Sequence, residues 1–162
     1  MVRASLMGFA LLCACAPSDL EEASAGFTFS AEELDTQDRI DAYRFEQGLP
    51  ALEADPLLGE LARAHSEAML SGEVPFSHDG FNEERLPAMV DAGYTRAGEN
   101  VAVNSGFDDP VGVAVQGWLD SPDHHENIVS EWTHTGVGIA TDGEQYYFTQ
   151  LFGYREDEAA SR

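Results

Sequence analysis

The chain has 162 residues, 43% of them apolar, which is enough for one domain with a hydrophobic core and too little for two. Its formal net charge is −22, and all eight basic residues are arginine. A charge of this sign repels nucleic acid and anionic membrane surfaces, so neither is an expected partner.

The first fifteen residues have the pattern of a signal peptide. The segment MVRASLMGFALLCAC carries one positive charge, Arg3, followed by an apolar run that is too short to span a bilayer. Its end, LCAC, resembles a bacterial lipobox, in which the last cysteine, here Cys15, becomes the lipidated first residue of the mature protein. Ordinary cleavage near the same point is the alternative. Both cysteines lie in this segment, so the domain that follows has none for a disulfide.

Residues 16–30 are small and acidic and predict a tether, after which two helices are expected. Ser30 and Glu33 form a capping-box pattern, which predicts a helix over 31–47. Asp55 and Pro56 repeat a start signal, and the helix that follows should end near Ser71. The apolar face of this second helix carries Leu58, Leu61, His65, Ala68 and Met69.

The second half of the domain predicts shorter elements. A loop over 72–80 precedes a short helix over 83–92, which Pro87 should interrupt, and 94–103 should be extended. Proline start signals predict helices from residues 110 and 122, and Asp142-Gly143 predicts the turn of a β-hairpin. The chain is therefore expected to be α+β, with helices covering a small antiparallel sheet over 31–154 and a polar tail over 155–162.

Four histidine or glutamate stretches could carry chemistry. They are FSHDG with His78, GENVA with Glu99, SPDHHEN with His124 and His125, and AHSEAM with His65. The first three fall in loops or at element ends, where binding groups are usually presented. Their separations of 21 and 25 residues are not a local metal signature, so the residues alone leave a joint site open against structural roles. His65, on an apolar helix face, is expected to be a core histidine with one satisfied hydrogen bond, and the aromatic residues of the second half are expected to pack the core and sheet.

The set resembles the CAP superfamily, which includes cysteine-rich secretory proteins, antigen-five venom allergens and plant pathogenesis-related proteins. The similarity covers about residues 38–153 and is strongest to the disulfide-free bacterial branch. Its pieces occur in the family's order: RIDAYRFEQGLPAL, AHSEAM, FSH, GYTRAGENVA, WLDSPDHHENIV, TGVGIA and YYFTQLFG.

The resemblance implies an α-β-α sandwich with a cleft that holds two histidines and two glutamates in many eukaryotic members. Carried over by motif, the histidines are His78 and His124, which can bind a divalent metal, and one glutamate is Glu99. The second glutamate has no counterpart, because Ser121 stands at that position. His125 is expected at the surface, Glu126 could replace the missing carboxylate, and Asn127 is expected to tie the loop through side chain to backbone bonds.

Three functions follow as alternatives. The cleft binds a ligand or a divalent ion, zinc or similar, through His78 and His124. A metal-assisted, peptidase-like hydrolase would use His78, Glu99 and His124 as catalytic candidates, with Ser77 and Ser121 possible nucleophiles by residue type only. A surface adhesion module would leave the cleft vestigial. In each case we expect a monomer outside the cytoplasm, secreted or held to a bacterial membrane only by a lipid at Cys15, with an unknown ligand or extracellular partner.

Overall fold

The computed structural model describes residues 26–156. Cys15 with the rest of the predicted signal peptide, most of the predicted tether and the end of the predicted polar tail lie outside these residues. Within residues 26–156, no helix is both long and apolar enough to cross a membrane.

Both predicted N-terminal helices form where their capping signals place them. Helix α1 (Ala31–Glu46) begins with a complete capping box, in which Ser30 Oγ accepts from Glu33 N at 3.2 Å and Glu33 Oε2 accepts from Ser30 N at 2.7 Å. Helix α2 (Pro56–Ser71) begins at Asp55, whose Oδ1 accepts from Leu58 N at 3.0 Å. It ends at Gly72 in the left-handed conformation (φ +76°), which an L side chain rarely adopts.

The predicted short helix forms in two pieces that meet next to Pro87. The segment forms a five-residue π-helix (Phe81–Arg85) that continues directly into helix α3 (Leu86–Asp91). Pro87 lies in the first turn of α3, where a missing N–H and a fixed φ are tolerated. The proline therefore lies where the π-helix gives way to the α-helix.

The remaining elements build a four-stranded sheet. They are β1 (Glu53–Ala54), β2 (Arg96–Ser105), α4 (Pro110–Asp120), α5 (Pro122–Val129), β3 (His134–Thr141) and β4 (Gln145–Tyr154). The strand order is β1-β3-β4-β2, antiparallel except for the two-residue parallel pairing of β1 with β3. The predicted hairpin turn joins β3 to β4, where Asp142 Oδ1 accepts from the backbone N of Glu144 and of Gln145, both at 2.9 Å.

Helices cover the sheet on both faces, which confirms the predicted fold class. Strand β4 contributes side chains to both faces of the sheet. On one face, Phe148 and Phe152 pack with Trp118 and the other buried residues of α1, α4 and α5. On the other face, Leu151 packs with Leu58 and Ala62 of α2. The core therefore has two halves, one on each side of the sheet. The predicted role of Trp118, Phe148 and Phe152 in the core is confirmed.

Helix α2 lies directly on β3 because two glycines remove the side chains between them. A Cβ at Gly136 would overlap the backbone of Leu58 and Gly59, and one at Gly138 would overlap the backbone of Ala62 and Arg63. This contact explains the two glycines of TGVGIA, since any side chain at Gly136 or Gly138 would separate helix and sheet.

The flanks of the domain are also held in place. Phe27 and Phe29 at the end of the predicted tether pack edge-to-face, with the guanidinium of Arg63 lying 4.1 Å from the ring centre of Phe27. At the other end, Arg155 donates to Asp55 Oδ2 at 2.9 Å and covers the ring of Tyr94.

Candidate functional site

The candidate site lies at β2, which is an edge strand of the sheet. Two helices cover this edge through side-chain donors. Trp118 Nε1 of α4 donates to Val101 O at 2.9 Å, and Asn127 Nδ2 of α5 donates to Glu99 O at 3.1 Å. These bonds satisfy strand carbonyls that have no neighbouring strand, and they fix α5 beside Glu99.

Two motif asparagines hold α5 against β2. Asn127 Nδ2 also donates to Asn100 Oδ1 at 2.9 Å, and Asn100 Nδ2 donates to the backbone oxygen of His124 at 3.1 Å. The predicted role of Asn127 in side chain to backbone bonding is confirmed. The GEN and SPDHHEN segments are thus joined through their asparagines, which sets the position of His124 relative to Glu99.

His78 meets Glu99 on the opposite side of the site. His78 Nδ1 lies 2.9 Å from Glu99 Oε1, and the carboxylate is buried, with 2% of its side chain exposed. An ionised carboxylate only accepts hydrogen bonds, so Nδ1 must carry the proton. In the neutral ring, Nε2 on the other side is then the lone-pair nitrogen, on a side chain that is 52% exposed.

Arg85 is a site residue that the sequence analysis missed. From the end of the π-helix its Nε donates to Glu99 Oε2 at 2.6 Å and its second terminal nitrogen donates to Glu99 Oε1 at 3.0 Å. This two-point contact binds both oxygens of the carboxylate. In the sequence Arg85 follows Glu83 and Glu84 in FNEER, a pattern typical of a solvated helix, and nothing local indicates its burial.

His124 completes the group on the α5 side. Its ring centre lies 6.3 Å from that of His78, and the two ring planes are inclined by 44°. Burial lowers the pKa of His124 from its usual value, and the nearby His78 lowers it further against a smaller opposing effect of Asp123. The lowered pKa of His124 favours the neutral imidazole at pH 7, the form that binds metals.

The structure brings His78, Glu99 and His124 together and shows other surroundings for the remaining candidates. Ser77 Oγ is engaged in its own loop, donating to Pro75 O at 3.2 Å and accepting from Asp79 N at 3.1 Å. Ser121 is the residue before α5, and its backbone oxygen accepts from His125 N at 2.8 Å. Glu126 has an exposed side chain.

His125 differs from its predicted surface position. It is half-buried, and its Nε2 lies 2.8 Å from the hydroxyl of Tyr43 on α1, with the two rings edge-to-face at 5.6 Å. The two adjacent histidines face different partners because successive residues on a helix are about 100° apart. His125 therefore links α5 to α1, and only His124 faces His78.

His65 has the role predicted for it. It is buried, at 5% exposure, and its Nε2 bonds to Ser77 O at 3.0 Å. Burial lowers its pKa below the usual value of 6.5. The histidine thus fixes the loop that leads to His78.

The donor set limits what the site can hold. Among residues 26–156, no group of three or more His, Cys, Asp or Glu side chains is arranged to hold a metal ion. His78 and His124 supply two nitrogen donors, whereas both oxygens of Glu99 are bound by Arg85. An ion here would keep open positions for water or another ligand.

Comparison with known proteins gives consistent matches. The sequence model of the CAP, or cysteine-rich secretory protein, family matches residues 37–152. An uncharacterized membrane protein of Bacillus subtilis (strain 168), YlbC, is 36% identical over 119 residues, which are 71% of this chain and 32% of that protein. The chain thus spans about a third of the length of this relative.

Solved structures share the fold. An extracellular SCP-domain protein of Bacillus anthracis superposes with a TM-score of 0.62 at 28% identity, covering 88% of this chain and 45% of that one. An outer surface protein of Borrelia burgdorferi superposes with a TM-score of 0.66 at 22% identity, covering 80% of this chain and 97% of that one. The second match shows a common fold alone.

Proposed function

The chain belongs to the CAP family of cysteine-rich secretory proteins, and we propose that it works outside the cytoplasm and binds a divalent ion, zinc or similar, between His78 and His124. The observation that carries the proposal is the pairing of His78 Nδ1 with Glu99 at 2.9 Å. Metal-binding histidines commonly donate their other ring N–H to a carboxylate, which leaves the opposite nitrogen as the ligand.

The separation of the two rings supports the proposal. Two imidazoles that bind one tetrahedral ion, with metal–nitrogen bonds of about 2.0–2.1 Å, place their ring centres roughly 5 Å apart. The rings here lie 6.3 Å apart, so they would need to close by about 1 Å. His78 is half exposed, so the side-chain rotation that this closure requires has room on the solvent side.

Two nitrogen ligands favour a weak, exchangeable ion over a structural one. Closed structural zinc sites use four protein ligands, and this site offers two. Nitrogen donors suit zinc, copper or nickel better than magnesium or calcium. The open positions would admit water or a polar group of an extracellular ligand, so the ion would act as the contact point of the cleft.

Titration calorimetry with Zn²⁺ at pH 7.5 tests the metal proposal. We expect one site in the mature chain, lost in His78→Ala and in His124→Ala. His125→Ala is the matched control, because it removes a neighbouring imidazole that faces Tyr43, and it should bind as the parent does. The titration is run in 0.5 M NaCl, since a charge of −22 also attracts divalent ions diffusely and salt screens that attraction. Binding that survives the His78→Ala, His124→Ala double variant would refute the proposal.

The hydrolase and adhesion alternatives receive less support from the site. A hydrolase needs a nucleophile or activated water and a stabiliser for the developing charge. The hydroxyl of Ser77 is held within its loop. A cleft that binds no ion at millimolar zinc would favour the adhesion module.

We place the protein on the outer side of a bacterial membrane, held by a lipid at Cys15. The support is the signal-peptide pattern that ends in LCAC, together with the Bacillus anthracis structure, which is described as an extracellular protein. An acylated protein partitions into detergent, and Cys15→Ser should release it or stop its processing. Unchanged partitioning of that variant would refute a lipid anchor at Cys15.

A further inference from the structure

Arg85 contacts both Glu99 and the loop that carries His78. Besides binding both oxygens of Glu99, it donates to the backbone oxygen of Asp79 at 3.1 Å and lies 3.4 Å from that of His78. Its side chain is 6% exposed, so these contacts are made largely out of water. One guanidinium therefore clamps the carboxylate and the loop that carries the histidine.

The clamp determines how Glu99 presents itself. Glu99 Oε1 receives both the Arg85 donor at 3.0 Å and His78 Nδ1 at 2.9 Å, while Oε2 receives the shorter Arg85 bond at 2.6 Å. A planar fork that binds both oxygens fixes the rotation of the carboxylate, which a point-like ammonium does not. The position of Oε1 beside His78 is thus set by Arg85.

We infer that Arg85 is the positioning residue of the site, which orients Glu99 so that His78 keeps its proton on Nδ1 and presents Nε2 to the cleft. The same clamp engages both Glu99 oxygens, which disfavours their direct coordination to a metal ion. Arg85 touches no ligand itself and acts through Glu99. The consequence for metal binding rests on the proposed function, whereas the consequence for the His78 tautomer does not.

The test is the tautomer of His78 in the metal-free protein, read from ¹⁵N long-range NMR of the imidazole at pH 8. His78→Ala identifies the signals. The parent should show one tautomer with Nδ1 protonated. Arg85→Lys keeps the charge but loses the fork, so the carboxylate can rotate, and we expect a mixture of both tautomers. Zinc affinity should fall about 10- to 100-fold, as for other residues that orient a metal ligand.

Arg39→Lys is the matched control. Arg39 binds two carboxylates, Asp35 at 2.9 Å and Asp109 at 2.8 Å, on an exposed surface formed by α1 and the start of α4. Its replacement should leave the His78 tautomer and the zinc affinity unchanged. A shift in this control as large as that in Arg85→Lys would assign the effect to general loss of charge pairing and overturn the inference.

The outcomes separate the inference from the proposed function. If the parent binds no zinc, the metal proposal fails, and the tautomer in metal-free protein still decides the role of Arg85. A folded Arg85→Lys variant with the parent's tautomer would overturn the inference. Arg85→Gln, which keeps one donor, is the second variant. If circular dichroism shows that both variants are unfolded, the ion pair of Arg85 with Glu99 has a structural role and the inference is overturned as well.

Discussion

The contact between Asn100 and Asn127 should be worth a measurable part of the domain's stability. Asn100 is fully buried, and its Oδ1 accepts from Asn127 Nδ2 at 2.9 Å. Asn127→Ala removes this donor and the one to Glu99 O, leaving two acceptors unsatisfied. A buried polar group without a partner costs about 1–3 kcal/mol, so we expect a loss of about 2–4 kcal/mol in the free energy of unfolding.

A double-mutant cycle separates the direct contact from the general effect of truncation. Asn100→Ala also removes the bond to His124 O and should cost a comparable amount, since it empties a fully buried position. Because both changes delete the same hydrogen bond, the double variant should lose less than the sum of the two, by about 1 kcal/mol.

Urea unfolding at pH 7, followed by circular dichroism, measures the four free energies. Asn82→Ala is the control, since Asn82 is exposed on the π-helix, and it should change stability by about 0.5 kcal/mol or less. Additivity within about 0.3 kcal/mol would refute the view that the two asparagines act on each other. It would leave the junction of α5 and β2 to packing alone.

Two further predictions concern the core and a buried titrating group. Gly138→Ala should destabilise the domain by more than 1–3 kcal/mol, roughly the usual cost of overpacking, because its Cβ would overlap the backbone of α2. The control is Gly117→Ala, at an exposed helical position with open space, which should leave stability unchanged or raise it by up to about 1 kcal/mol. Equal effects of the two changes in thermal unfolding would contradict the close approach of α2 to β3. Burial lowers the pKa of His65 below 6.5, so the unfolded chain binds more protons than the folded one as the pH falls through 6.5. The contribution of neutral His65 to the free energy of unfolding is therefore complete above pH 6.5 and is lost as the pH falls below it. His65→Gln should make the unfolding free energy fall less steeply between pH 7 and pH 5 than in the parent, and parallel profiles would contradict the assignment.

The elements that the sequence predicted best are those with a local signal. The capping box at Ser30, the Asp55-Pro56 start and the Asp142-Gly143 turn each depend on residues within a few positions of one another, and each forms. Local chemistry also explains the division next to Pro87, since a proline disrupts the middle of an α-helix and is tolerated in its first turn. The π-helix before it, with no periodic signal of its own, was not predicted.

The site was predictable only in part, because its contacts join residues that are distant in the sequence. His78, Glu99 and His124 were identified through motifs shared with a family, and their spacing alone left the question open. Arg85 lies 14 positions from Glu99 and outside the segments that resemble the family, so its pairing with Glu99 depends on the fold that buries both residues. His125 was expected at the surface, and no local signal could indicate its contact with Tyr43, which is 82 positions away along the chain.

This cleft departs in two ways from a site with two histidines and two glutamates, and both departures reduce the number of carboxylates that are open to a ligand. Ser121 removes one carboxylate, and Arg85 occupies the other through both of its oxygens. The remaining donors are imidazole nitrogens, so the same two rings would have to serve either as ligands or as acid–base groups. An ion held by both rings uses their lone pairs, and a ring whose lone pair is coordinated accepts no proton. Metal binding and imidazole proton transfer are therefore competing uses of one pair of side chains, and the pairing of His78 Nδ1 with a clamped Glu99 makes Nε2 the nitrogen for which they compete.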